Sequence, residues 1–377
     1  MSTQDTDILV VGAGVIGLSI ARALAARGAG RVTVVDRGKA GAEASWAAAG
    51  MLAPNAETHE DGALFRLCTA SNALYPKYAA QLLEETGIDV ELDTTGTLSL
   101  SFDETGDRLI SEKFDWQKGA GIEVERLSAR EVLKLEPGIS ADVRSGLFYP
   151  NDWQVENRKL VAALRRSCQL GGIRILEHSE VSELLRADDR VHGLRTSSGE
   201  IRAAVVVVAN GAWASQLLGK SIVRPVRGQM IGLQGGERPL NAVVYGPGGY
   251  LVPRKDGRVL VGATVEDVGF RKEVTADAIE ALRDAVLEIA PVLGNFDIKE
   301  AWAGLRPFAD DGLPVIGRVP WNEGLFVATG HYRNGILLAP ITAELIADAV
   351  LGGGHSEYLE EFGPGRFFSG SAASNRV

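Results

Sequence analysis

The segment Gly12-Ala13-Gly14-Val15-Ile16-Gly17 restricts the fold of this chain more than any other. It follows Ile8 to Val11, an apolar run that reads as a buried parallel strand. It opens an alanine-rich stretch of helical spacing, Val15 to Arg27, and a second β-branched run, Val32 to Val35, then ends at Asp36. Strand, glycine turn, helix and strand within about 30 residues make a βαβ unit. Gly12 permits the tight turn, Gly14 lets backbone approach a pyrophosphate, and Gly17 lets helix pack close on strand. Val15 and Ile16 fall in the first helical turn, where free N–H groups and the dipole favour an anion. Asp36 lies 19 residues beyond Gly17 (36 − 17), at the strand end, followed by Arg37. A carboxylate there accepts hydrogen bonds from ribose hydroxyls and repels a 2′-phosphate. Together these features predict a dinucleotide site.

Downstream, Leu64 to Glu85 and Arg158 to Leu170 read as helices. Ser128 with Glu131 reads as a capping box on a short helix that Pro137 closes. Gly96 to Phe102, Ile173 to Leu176, Ile201 to Ala209, Pro225 to Leu233, Tyr250 to Val261 and Leu325 to Ala328 read as strands, with Asp256-Gly257 a hairpin turn. Gly38 to Pro54 reads as a small-residue loop, Gly335 to Leu351 as mostly helix, and the tail beyond Gly352 as a fraying end. Nucleotide-type elements thus flank and interrupt hairpin-rich ones. The expected class is α/β (α+β overall). A Rossmann-type nucleotide domain (1–85, 140–220 and 310–377) is interleaved with an antiparallel-sheet substrate domain (86–139 and 221–309).

Composition excludes several classes. The net charge of −10 disfavours nucleic acid as a partner. The two cysteines, Cys68 and Cys168, form neither a CxxC pair nor a disulfide framework, which fits a reducing cytoplasm. The five histidines are scattered, and no metal site is expected. No long uncharged apolar run suggests a membrane span, and Met1 to Asp7 lacks the basic residues of a signal peptide.

Four further pieces identify a family. They are Ala44-Ser45-Trp46-Ala47-Ala48-Ala49-Gly50-Met51-Leu52, Pro225-Val226-Arg227-Gly228-Gln229, Trp302-Ala303-Gly304-Leu305-Arg306-Pro307, and Gly330-His331-Tyr332-Arg333-Asn334-Gly335-Ile336-Leu337-Leu338-Ala339-Pro340. In order and spacing, from about Asp7 to about Asp348, the chain resembles the D-amino acid oxidase superfamily of flavoproteins. Within it, the likeness is greatest to the glycine oxidases of thiamine biosynthesis. The resemblance implies FAD as the cofactor, a homo-oligomer, a small amino acid or amine as substrate and O2 as electron acceptor.

It also implies roles. Ser45, Ala48, Ala49, Gly50 and Met51 border the flavin ring; Val181 meets the adenine edge, though a core valine explains it equally. Asn210, Gly211, Trp213 and Gly304 fall at further cofactor positions. His331, Arg333, Asn334, Gly335, Ile336 and Leu337 lead into a helix whose N-terminus faces the flavin, where dipole and N–H groups stabilise added negative charge. The helix is expected to begin near Leu337 or Leu338, since Pro340 is tolerated in a first turn. Arg306 is the arginine that grips the substrate carboxylate, and Tyr250 bonds the same group. Tyr245 closes the pocket, and Arg333 either joins the clamp or orders the flavin loop. His331 is expected to be structural and not a base. Gly248 and Val265 replace a histidine and a methionine of some members at positions facing the substrate.

The expected reaction is oxidative deamination of glycine or a similar amine. A hydride passes from Cα to flavin N5, the imine hydrolyses, and O2 reoxidises the flavin to give H2O2, a chemistry dominated by positioning. A D-amino acid or sarcosine dehydrogenase or oxidase passing electrons to a carrier, and a flavin-binding protein without turnover, stand as alternatives.

Overall fold

The computed structural model describes residues 4–58, 60–353 and 355–367. Its centre is a six-stranded sheet in the order Val315–Arg318, Leu325–Thr329, Val205–Val208, Ile8–Val11, Val32–Val35, Arg174–Leu176. All neighbours are parallel except the first pair. The near-continuous valine and isoleucine content of these strands suits burial on both faces. Because side chains alternate across a strand, Ile8 and Val10 join one core while Leu9 and Val11 join the other. The first core packs under the helices Val15–Ala26, Ala63–Thr86, Asn157–Leu170 and Ala339–Leu351. The second packs against Leu184, Val191, Leu194 and Ile201 of a four-stranded sheet. Leu9, Leu18 and Leu24 have no exposed surface, and each such side chain contributes about 1.5–3 kcal/mol. Cys68 and Cys168 are free and buried in the helix-side core.

An eight-stranded sheet carries the other half in the order Asp297–Phe308, Arg224–Gln234, Arg258–Gly262, Gly249–Pro253, Val243–Gly246, Thr97–Ser101, Ser145–Tyr149, Glu125–Ser128. Its pairs are antiparallel except Val243–Gly246 with Thr97–Ser101. The helix Ala276–Ile289 covers one face through Leu282, Val286 and Ile289. The two longest strands pair from Arg224↔Phe308 to Gln234↔Asp297, which sets Arg306 opposite Val226.

Several expectations change in detail. The 201–209 run is two strands, Gly199–Arg202 and Val205–Val208, because the chain crosses from the four-stranded to the six-stranded sheet at Ala203 and Ala204. Ser145–Tyr149 lies in the eight-stranded sheet, although its position in sequence placed it with the nucleotide segments. The 38–54 loop contains a turn of helix, Ala44–Ala47, and a short strand, Met51–Leu52. Beyond Gly352 the chain does not simply fray. The helix Glu357–Glu361 follows, and Phe362 is fully buried under the core. Residues 368–377 of that tail lie outside the described residues. The capping box stands, with Glu131 accepting from Ser128 N–H at 2.8 Å on the helix Ala129–Leu135.

Candidate active site

A cavity of about 430 Å³ runs along the ends of the parallel strands and reaches the eight-stranded sheet. Its first end is the glycine turn. Gly12 has φ +103°, and a Cβ on Gly17 would lie 1.9 Å from Gly12 O, so neither position accepts a side chain. Helix Val15–Ala26 has no capping side chain of its own at Gly14; Ser45 Oγ accepts from Val15 N–H at 2.9 Å. Asp36 accepts from Ala13 N–H at 2.7 Å and Gly38 N–H at 2.8 Å. The carboxylate therefore stiffens the turn that it also lines. Arg37 pairs with Glu43 at 2.9 Å and stacks on Trp213, its guanidinium carbon 3.6 Å from the ring centroid.

Gly12, Gly14, Val15, Ile16, Asp36, Arg37, Ser45, Ala48, Ala49, Gly50, Met51, Val181, Asn210, Gly211, Trp213, Gly304, Arg306, His331, Arg333, Asn334, Gly335 and Ile336 all line this cavity. Two expected cofactor contacts do not. Gly17 is committed to packing, and Leu337 is buried, its carbonyl accepting from Ser71 Oγ at 2.6 Å. Tyr75 O–H likewise donates to Ile336 O. These bonds hold 335–338 as turns, and the helix begins at Ala339, a residue or two later than expected, with Pro340 in its first turn. An elongated cleft fits a dinucleotide bearing a ring system. Its turn excludes side chains at one end, and Asn210 Oδ1 is buried at its wall without a partner. The residues present thus fit FAD.

At the far end two arginines differ in state. Arg333 donates to Glu57 at 2.8 and 3.2 Å. The carboxylate raises the guanidinium pKa against the opposing effect of burial. Burial alone would push the Glu57 carboxyl up, but Arg333, Tyr245 and Arg306 together hold it below the usual carboxylate range. Arg306 Nη1 donates to Thr264 O at 3.1 Å. Among the described residues no carboxylate lies within ion-pair distance of it. Its guanidinium lies across Gly228, where a Cβ would come within 2.2 Å of both terminal nitrogens. Tyr250 is buried beside it; burial raises the phenol pKa and Arg306 opposes that shift. Tyr250 O–H points to Met230 Sδ at 3.9 Å.

Tyr245 is not among the lining residues, and it does not close the cavity. It donates to Glu57 at 2.8 Å from behind, beside the Met51 sulfur. Gly248 and Val265 also lie outside the lining. Val265 is 59% exposed, and Gly248 sits in the 246–249 turn against Ala285. His331 Nε2 is 3.0 Å from Thr342 Oγ1, and complete burial lowers its pKa to about 3, so the ring is neutral.

Glu57 was missed in the sequence, as were Gly228 as the bed for Arg306 and Asp152 as the support for Glu57. Asp152 accepts from Asn55 N–H at 3.1 Å, Asn55 Nδ2 at 2.7 Å and Ala56 N–H at 2.6 Å, fixing the turn Pro54–Glu57. Burial pushes its carboxyl pKa up to about 7. Only the Pro-Asn start of that turn gave a local signal. No group of His, Cys, Asp or Glu able to hold a metal occurs among the described residues, and no helix is long and apolar enough to cross a membrane.

A family model described as FAD dependent oxidoreductase (DAO) matches residues 7–349. The glycine oxidase of Pseudomonas aeruginosa is 39% identical over 350 residues, covering 92% of this chain and 94% of that protein. The bifunctional protein ThiO/ThiG of Synechocystis sp. is 39% identical over 370 residues, 97% of this chain and 54% of that longer protein. The crystal structure of glycine oxidase from Geobacillus kaustophilus superposes with a TM-score of 0.91 at 35% identity, covering 96% of this chain and 98% of that one.

Proposed function

This chain belongs to the DAO family of FAD-dependent oxidoreductases, and from that membership we propose that it oxidatively deaminates glycine or another small α-amino acid. FAD is its cofactor, held by the glycine turn, Asp36, the 44–51 loop, Asn210 and the 331–336 segment. When bound, FAD supplies the two-electron acceptor for the Cα–H bond and is regenerated by O2 with formation of H2O2.

The observation that carries this reading is the unequal pairing of the two arginines. Arg333 is paired with Glu57, whereas Arg306 lines the cavity beside Tyr250, donates to the Thr264 carbonyl and has no carboxylate among the described residues within ion-pair distance. A single uncompensated guanidinium beside a buried tyrosine suits one carboxylate, bound bidentately by charge-assisted hydrogen bonds. Arg306 and Tyr250 thereby fix one end of the substrate. Ala47, Ala49 and Met230 give the cavity an apolar wall that limits water around the reacting carbon. The substrate amine loses its proton to solvent before reaction. His331, neutral and bonded to Thr342, stays a structural group of the cofactor wall. Catalysis is then mainly orientation of Cα. The likeness to the ThiO/ThiG protein supports supply of the product imine to thiamine synthesis.

Glycine added anaerobically to the FAD-loaded protein tests this reading. Bleaching of the flavin bands, with peroxide released on admitting air, is expected. Bands that glycine, sarcosine and D-alanine all leave unchanged would remove the amine-oxidising function.

A further inference from the structure

Five consecutive or near-consecutive carbonyls of the cavity-lining loop are tied to donors outside it. Asn157 Nδ2 donates to Ser45 O at 2.9 Å and Trp46 O at 3.0 Å. Trp302 Nε1 donates to Ala47 O at 3.0 Å. Arg254 Nη2 donates to Ala49 O at 2.7 Å, and Val155 N–H to Gly50 O at 2.9 Å. The donors themselves are linked, for Arg254 also reaches Asn157 Oδ1 at 3.1 Å, Val155 O at 2.8 Å and Gln154 Oε1 at 2.9 Å.

Arg254 is an unusual choice for this place. It is 3% exposed, all four of its acceptors are neutral oxygens, and no carboxylate among the described residues is within ion-pair distance. Burial lowers its pKa to about 10, which leaves it charged at neutral pH. The Glu156 carboxylate favours the cation only from beyond ion-pair distance; burying a cation without a direct counter-ion is costly, and a neutral side chain of similar size serves stability better. The charge therefore calls for a use beyond packing.

The peptide geometry supplies one. A trans peptide is planar, with C=O and the following N–H on opposite sides. Fixing Ala47 O on Trp302 and Ala49 O on Arg254 turns the N–H groups of Ala48 and Gly50 the other way, and both residues line the cavity. We propose that Arg254, Asn157 and Trp302 are positioning residues that hold the 44–51 loop with its N–H groups facing FAD, and that the Arg254 charge, relayed through the Ala49–Gly50 peptide, favours the reduced, more negative cofactor. A donor pulling on the carbonyl strengthens the N–H of the same peptide, since linked hydrogen bonds polarise one another. The proposal rests on FAD binding in this cavity and is independent of which amine is oxidised.

The test is the midpoint potential and the FAD dissociation constant of Arg254→Met, Arg254→Lys and Trp302→Phe, with thermal unfolding of each FAD-free protein recorded alongside. Arg254→Met is expected to bind reduced FAD about tenfold less tightly relative to oxidised FAD, a midpoint lower by about 30 mV. Arg254→Lys, which keeps the charge, is expected to recover most of that shift. Trp302→Phe is expected to weaken FAD binding several-fold and to decide the matter alone if Arg254→Met does not fold. Variants whose potential and FAD affinity match the parent overturn the proposal, even if their unfolding temperatures fall. A parent protein that binds no FAD overturns the cofactor assignment itself.

Discussion

Arg333 and Glu57 meet at 2.8 Å across 276 residues of chain, and their pairing leaves Arg306 as the cation available to an anionic ligand. Glu57 thus sets the charge at that end of the cavity, where substrate is proposed to bind.

Glu57→Gln removes the negative charge and leaves two guanidinium groups facing the same space. Its kcat/KM for an amino dicarboxylate such as iminodiacetate, relative to glycine, is expected to rise about tenfold, the factor given by one added charge-assisted hydrogen bond. Steady-state kinetics with both substrates measure it. An unchanged ratio means that Arg333 stays out of reach of ligands even when released.

Arg306→Ala is expected to raise KM for glycine by roughly 10- to 150-fold, from the 1.5–3 kcal/mol of a hydrogen bond to a charged group, with FAD still bound. Gly228→Ala reaches the same end without touching the arginine. Its Cβ would come within 2.2 Å of the guanidinium, which must move off its bed. Equal KM values for parent and Gly228→Ala would show that the arginine does not act from this position.

The neutral His331 predicts two pH effects. Its pKa of about 3 in the fold lies below the value near 6.5 of an unfolded chain. Between these limits the unfolded state binds a proton that the native state refuses. Stability from this group is full above about 6.5 and is lost as pH falls toward 3. His331→Gln is expected to flatten that part of the stability curve in urea titrations and to leave the shape of the kcat–pH profile intact. Loss of a limb of that profile in the variant would make His331 a proton-transfer group after all.

Glu266 predicts a lower window. It accepts from Arg227, Thr264 and Gln229 behind Arg306. Burial opposes its ionisation, yet these bonds outweigh it and bring the carboxyl pKa to about 2 from an ordinary 4.5. A depressed carboxyl stabilises the fold fully above about 4.5 and progressively less as pH drops toward 2. Glu266→Gln is expected to show less acid dependence than the parent across that window. Curves that stay parallel there would mean that the network is already broken in the native protein.

What could be read from sequence is what is local. The strand, Gly12, Gly17 and Asp36 lie within one supersecondary unit, and each has a conformational reason visible at short range. The 44–51 and 331–336 segments were legible through family likeness, and the structure brings both to one cavity. Glu57 was not legible, because a glutamate becomes part of a site only where Arg333, from a distant turn, and Tyr245, from a distant strand, approach it. Val265 and Gly248 erred in the opposite sense. Positions expected from the family likeness to face substrate lie here on an exposed segment and in a turn, the turn packed on the helix Ala276–Ile289 through Ala285. Tyr245 was placed one layer too far forward, which strand register alone does not resolve.

The sealing of Cys68 and Cys168 has a chemical consequence for a protein proposed to make peroxide. Burial raises both thiol pKa values, that of Cys168 to about 12, so almost no thiolate exists at neutral pH. Since thiolate is the form that peroxide oxidises, the protein is insulated from its own by-product at both cysteines. The sulfurs that line the cavity are instead the thioethers of Met51 and Met230. Wear during long turnover is expected at these two methionines and not at a cysteine.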